Sequence, residues 1–161
     1  GDGVVTDDYV RELKRLAGDN NNIIFTGNQT GWTLNELYAN AYLFVQPSSS
    51  EGLSIALLEA MSFGRCALFS DIPENLEVSK GIGFSFTSKS VISLKDKLKY
   101  LLDHPALAAN CGLTAQARIK EYYSWNKIVK DTGEVYRAAG KLKTERGLLF
   151  KQAKKLINFI F

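Results

Sequence analysis

Pro47-Ser48-Ser49-Ser50-Glu51-Gly52-Leu53-Ser54-Ile55-Ala56-Leu57-Leu58-Glu59-Ala60-Met61 decides how this chain is read. A polar loop ends at Glu51-Gly52 and gives way to an almost wholly apolar helix. From Gly52 to Phe63, Glu59 is the only charged side chain. A helix apolar on all sides is usually buried, and a carboxylate buried without partners costs roughly several kcal/mol. The pattern therefore predicts a buried helix in which Glu59 meets a donor or a ligand.

Outward from this stretch, strands and helices alternate. Tyr42-Leu43-Phe44-Val45-Gln46 before it reads as a strand stopped by Pro47, and Cys66-Ala67-Leu68-Phe69-Ser70 after Gly64 reads as another. Asn22-Ile23-Ile24-Phe25-Thr26 has the composition of a buried strand ending at Gly27. Thr33 starts a helix through Leu34, Leu37, Tyr38 and Ala41. Asp71-Ile72-Pro73 closes the strand ahead of a short helix near Glu74 to Ser79, and Gly81 to Phe86 reads as a short edge strand. Beyond Ser90 the pattern is helical: Leu94, Leu98, Leu101 and Leu102 form one stripe. Pro105 opens a second helix at the position proline favours. Ser124 caps a third, with Trp125, Ile128, Val129 and Tyr136 on one side. Near the start, Thr6-Asp7-Asp8 can cap a helix through Val10, Leu13, Leu16 and Ala17. Such alternation predicts an α/β fold, a Rossmann-like three-layer parallel sheet covered by helices.

The 161 residues, 45% of them hydrophobic, suffice for one domain with a real core. Cys66 and Cys111 have no metal-type spacing and suggest no disulfide framework, so they read as buried small hydrophobes in a reducing compartment. There is no signal-peptide pattern and no run of roughly 18 apolar residues, so the expectation is a cytoplasmic protein. The chain lacks an initiating Met, and Gly1-Asp2-Gly3 reads as a turn with no strand in front of it. The expectation is a fragment whose sheet begins upstream.

In parallel sheets, ligands sit beyond the carboxyl ends of the strands. The Pro47–Gly52 loop and the next helix start lie at such an end. A helix N-terminus offers unpaired N–H groups and partial positive charge to phosphate. Gly52, Leu53, Ser54 and Ile55 therefore read as amides that can cradle a diphosphate. Glu59 lies one turn beyond Ile55 on the same face, where it can accept hydrogen bonds from a ribose diol. Glu51 can hold sugar hydroxyls. Each has a plainer reading as well: a solvated loop acid for Glu51, a partly exposed helix acid for Glu59, a turn former for Gly52. Ser48, Ser49 and Ser50 are turn formers with no histidine nearby in sequence to activate them. His104 is a surface residue.

Pro47-Ser48 followed by Glu51-Gly52 and Leu58-Glu59-Ala60-Met61, with Gly64 behind, resembles the E-x7-E signature of the group 1 (family 4) retaining glycosyltransferases. Ile24-Phe25-Thr26-Gly27, Asn35 to Ala41, Ser70-Asp71-Ile72-Pro73-Glu74 with Glu77-Val78, and Ser124-Trp125 resemble further parts of that family's pattern over about residues 1 to 139. Leu53-Ser54 stands where Phe-Gly is commonest, and Cys66-Ala67 replaces the usual Pro-Val. The resemblance implies the C-terminal, donor-binding half of a GT-B fold, truncated at its N-terminus. It implies a nucleotide-diphosphate sugar as donor and no cofactor or metal. Glu51 would be the catalytic residue at the transferred sugar and Glu59 the ribose ligand. Gly52, Leu53, Ser54 and Ile55 would meet phosphate or sugar, and Gly27 and Asn28, with Thr26, would lie near the base. The basic diphosphate clamp and the N-terminal acceptor domain would lie upstream of Gly1, so the chain alone is expected not to catalyse. A glycan or lipid-linked acceptor and a place in polysaccharide biosynthesis are the matching expectations. A GT-B-like sugar-nucleotide epimerase, or a non-catalytic nucleotide-binding or docking domain, are the alternatives.

Residues 140–161 stand apart from the Rossmann-like domain expected over 1–139. Six bases and one acid (Lys141, Lys143, Arg146, Lys151, Lys154, Lys155; Glu145) give them a net +5, which leaves −2 for the rest of a chain at +3. Leu148, Leu149, Leu156 and Phe159 fall near one helical face. A basic amphipathic helix can lie on an anionic surface such as the inner face of a membrane, or it can pack on the N-terminal domain. No nucleic-acid motif is present.

Overall fold

The computed structural model describes residues 7–141, with the side chain of Asp7 excepted. The opening turn, the proposed Thr6 cap and the basic tail from Leu142 onward lie outside them. The first helix, α1, covers Asp7–Ala17, and α2 covers Gly31–Asn40. Then follow β1 (Leu43–Gln46), α3 (Ile55–Ser62), β2 (Cys66–Ser70), α4 (Pro73–Ser79), β3 (Phe84–Phe86), α5 (Val91–Asp103) and α6 (Pro105–Tyr122). Residues 125–141 form the last described helix, α7. One compact unit runs up to Ala115 and a second starts at Gln116.

The three strands form a parallel sheet in the order β1-β2-β3, with Leu43 opposite Cys66 and Leu68 opposite Phe84. All five residues of β2 are buried, because it is the middle strand and both of its faces are covered. On one face Cys66, Leu68 and Phe86 pack with Leu101 of α5 and Ala108 of α6, joined by Leu43, Val45, Leu94 and Leu98. Of the leucine stripe read from the sequence, Leu94, Leu98 and Leu101 thus face the sheet, whereas Leu102 is 61% exposed. On the other face the Phe44 ring meets Tyr38 of α2, centroids 5.9 Å apart, and α3 lies against β1 and β2. Helices therefore flank the sheet on both sides.

Local chemistry explains the element limits. Gly64 takes φ +69° after α3, a left-handed value glycine adopts without strain. Pro73 and Pro105 open α4 and α6, where a missing N–H costs nothing. The Ser90 hydroxyl caps α5 by accepting from the Ser93 amide at 3.2 Å. His104, exposed as expected, closes α5 with its Nδ1 2.7 Å from the Tyr100 carbonyl. In the second unit, Ser124 caps α7: its hydroxyl accepts from the Lys127 amide at 3.4 Å. Trp125, Val129 and Tyr136 are exposed there.

Three expectations need correction. Residues 22–26 form no strand, and Ile24 is 78% exposed. A strand exists only through its ladder, and this segment pairs with none of the three strands among the described residues. The edge strand is confined to Phe84–Phe86, since the left-handed Gly81 and Gly83 break an extended run before it. Finally, α2 begins at Gly31, two residues before Thr33, and Thr30 at its cap makes no side-chain capping bond.

Candidate functional site

Parallel pairing brings the carboxyl ends of all three strands to one edge, and that edge is polar. Gln46 and Ser70 end β1 and β2, and both are buried. The Ser70 hydroxyl donates to the Ser48 carbonyl, tying the loop after β1 to the end of β2. Asn75, fully buried in α4, donates its Nδ2 to the Ser70 carbonyl and hydroxyl, both at 3.2 Å. The Asp71 amide donates to the Phe86 carbonyl at 2.9 Å, and the Ser88 amide donates to Asp71 Oδ1 at 2.8 Å. The loops of this edge are stitched together through backbone and short side chains.

Glu51 sits half-buried in the middle of that stitching. Gln46 Nε2 donates to its Oε1 at 2.7 Å and the Ser48 hydroxyl to the same oxygen at 2.6 Å. A carboxylate only accepts, so it fixes which end of the Gln46 amide faces it. That leaves Gln46 Oε1 turned inward, buried and unpartnered among the described residues, as is Asn75 Oδ1. Glu51 is therefore a positioned acid, not a freely solvated one.

The start of α3 follows. Ser54 caps it, 2% exposed, its hydroxyl accepting from the Leu57 amide at 3.4 Å. The Ile55 amide donates to the Leu53 carbonyl at 2.9 Å, so an anion bound here would compete with that bond or use the amides before it. Leu53, Ile55 and Gly52 are exposed at this end. The helix is not buried all round, contrary to its apolar sequence. Ile55 is 63% exposed and Glu59, one turn on, is exposed too, while Leu57, Ala60 and Met61 pack inward. Glu59 thus avoids the desolvation its neighbours in sequence suggested. It still has a donor, the Tyr38 hydroxyl of α2, 3.2 Å from Oε2. Burial first, and the Glu59 charge second, push the Tyr38 phenol up to about 12.

Gly27 and Asn28 are exposed in the segment ahead of α2. Gly27 has φ +67°, and its carbonyl takes the Thr26 hydroxyl at 3.4 Å. Neither Gly27 nor Asn28 hydrogen-bonds to Glu51 or Glu59. The structure thus joins Glu51 to the strand edge and Glu59 to α2, with the start of α3 between them in sequence. Gln46, Asn75 and Tyr38 were not read as site-forming. The one signal was polarity: Gln46 closes an apolar strand.

The model of the family described as glycosyl transferases group 1 matches residues 3–118. The chain belongs to the group 1 glycosyl transferases. A glycosyltransferase of Methanocaldococcus jannaschii, itself uncharacterized, is 30% identical over 82% of the chain and 34% of its own length. The sulfoquinovosyl transferase of Arabidopsis thaliana is 34% identical over 86% of the chain and 27% of its own length. This group 1 chain therefore spans about a third of the curated relatives it matches. Anabaena HepE, solved in complex with UDP and glucose, is 21% identical over 83% of the chain and 37% of that structure, with a TM-score of 0.76. That likeness establishes the GT-B type of fold.

Proposed function

We propose that this chain is the donor-binding domain of a retaining glycosyltransferase that takes its sugar from a nucleotide diphosphate. The observation that carries the reading is the Glu51 carboxylate at the carboxyl edge of the sheet, held through one oxygen by Gln46 and Ser48. With Oε1 occupied, Oε2 is the oxygen for a hydroxyl of the transferred sugar. As the bond to the diphosphate breaks, positive charge develops at the anomeric carbon, and a fixed carboxylate nearby stabilises it without reorganising. Glu59, accessible on the outer face of α3, accepts from the ribose diol while Tyr38 holds its other side. The backbone from Gly52 to Ile55 takes phosphate or sugar, and Gly27 with Asn28 faces the base.

HepE was solved with UDP and glucose, which supports a nucleotide-sugar donor for this chain. The acceptor, a glycan or a lipid-linked saccharide, belongs to a second domain, and this domain alone does not turn over. Among the described residues no helix is long and apolar enough to cross a membrane. The basic stretch over 140–161 supports peripheral contact with an anionic surface.

The test is an NMR titration of the chain with UDP, GDP and ADP, beside Glu59→Ala. Shifts centred on Gly27, Gly52 to Ile55 and Glu59 for one base, weakened at least tenfold in affinity by Glu59→Ala (about 1.4 kcal/mol), are the expected result. Binding that ignores Glu59→Ala overturns the assigned site.

A further inference from the structure

The opposite end of β2 carries chemistry that sugar transfer does not use. Cys66 opens the strand, 2% exposed, and Cys111 lies half-buried on α6. Both are free thiols, and Cys66 Sγ donates to Cys111 Sγ across 2.9 Å. Forty-five residues separate them in sequence, so only the fold brings the sulfurs together. The backbone there is tightly set: a Cβ on Gly112 would stand 2.1 Å from the Gly64 carbonyl oxygen and 3.3 Å from the Cys66 amide nitrogen. The backbones that carry the two thiols therefore cannot separate without moving α6 off the strand.

Hydrogen bonding from the Cys66 thiol holds Cys111 below the usual thiol range, against its burial, and the Ala67 and Gly83 amides reinforce it. The same contact, with burial, pushes Cys66 well above that range. One sulfur is thus prepared as the nucleophile and the other keeps the proton. Access is provided on both sides of the pair. Cys111 is partly exposed, and Cys66 lines a cleft of about 320 Å³ with Tyr42, Arg65, Pro105 and Leu113.

We infer that Cys66 and Cys111 form a peroxide-reactive pair that closes to an intramolecular disulfide. The Cys111 thiolate attacks one oxygen of hydrogen peroxide. The O–O bond breaks, hydroxide leaves and is protonated to water, and Cys111 becomes a sulfenic acid. Cys66 sulfur then attacks that sulfur, its proton leaves with the displaced hydroxide as a second water, and the S–S bond forms. Two thiols lose two electrons, and one peroxide becomes two waters. A dithiol reductant reverses the step. The product ties α6 to the amino end of β2, closing a long loop, which stabilises the fold against heat.

The test uses the full chain, purified reduced, treated with hydrogen peroxide, then denatured, alkylated and mapped by mass spectrometry. The expected result is loss of both alkylatable thiols, one cross-linked peptide pair holding residues 66 and 111, and a dithiothreitol-reversible rise in Tm. Cys66→Ser stops at a sulfenic acid on Cys111 that dimedone traps, and Cys111→Ser leaves Cys66 alkylatable. If either variant fails to fold, the map of the unaltered chain still decides. Two thiols surviving peroxide, oxygen added to Cys111 without a cross-link, or links only between separate chains would each overturn the proposal.

Discussion

The two ends of β2 are built from opposite materials. At the amino end, Cys66 is packed between Leu68, Leu101 and Ala108, and α6 comes so close that Gly112 leaves no space for a Cβ. At the carboxyl end, the same strand finishes in Ser70, whose neighbours are Ser48 and Asn75, with Gln46 and Glu51 beyond. Close packing tolerates almost no added volume. A polar cluster tolerates volume better but punishes the loss of any donor. One strand therefore separates the packing that holds the domain together from the polar edge proposed to meet the donor, and substitutions at its two ends should fail in different assays.

The strongest challenge to that division is Gly112→Ala. The obstructing atoms are backbone, not a flexible side chain, so the helix must shift. A loss of about 3 kcal/mol in urea unfolding is expected. A neutral result would mean that the amino end is looser than described. Next comes Glu51→Gln, which keeps the acceptor for Gln46 and Ser48 but removes the charge. On the proposed function, sugar transfer should fall about 100-fold, roughly 2.7 kcal/mol in barrier, with the unfolding midpoint nearly unchanged. A protein that kept its activity would remove Glu51 from the chemistry. Asn75→Ala deletes the donor to Ser70 and should cost about 2 kcal/mol of stability; because it also loosens Ser48, weaker donor binding should accompany it in calorimetry. If binding stayed intact, the polar stitching would be structural only.

The smallest effect belongs to Tyr38→Phe, about 1 kcal/mol near neutral pH. An ordinary tyrosine ionises near pH 10, whereas Tyr38 in the folded state does so near 12. The folded chain keeps a proton that the unfolded chain has released. The hydroxyl's contribution is thus complete below about pH 10 and disappears as pH climbs to about 12. Unfolding curves of the two proteins should converge over that interval, and parallel curves would contradict the raised ionisation of Tyr38.

Much of the frame was legible because local rules decide it. Cys66 to Ser70 could be placed residue for residue, bounded by Gly64 and Asp71-Ile72-Pro73. Proline and serine marked the starts of α4, α5 and α6. Residues 22–26 misled because a β-branched run states only the capacity to pair, and the partner is not encoded locally. The exposure of Glu59 was hidden for a similar reason: eight residues of apolar helix do not tell which side meets protein. Within the candidate site, Glu59 stood out as the one acid of an apolar helix, and Glu51 as the acid that closes the polar loop ahead of it. Gln46, Asn75 and Tyr38 were silent, since their roles arise from contacts between elements. The meeting of Cys66 with Cys111 is the extreme case, with no spacing rule that announces it.

The cross-ties among Ser48, Ser70, Asp71, Phe86 and Ser88 bear on kinetics as well as on shape. Loops left free lose conformational entropy when a ligand orders them, at about 1–2 kcal/mol per residue fixed. Here that ordering has been completed by folding. A ligand arriving at the carboxyl edge meets a preset surface, so its affinity should vary little with temperature-driven loop motion, and the Asp71 and Ser88 amides should exchange with deuterium as slowly as those of the sheet.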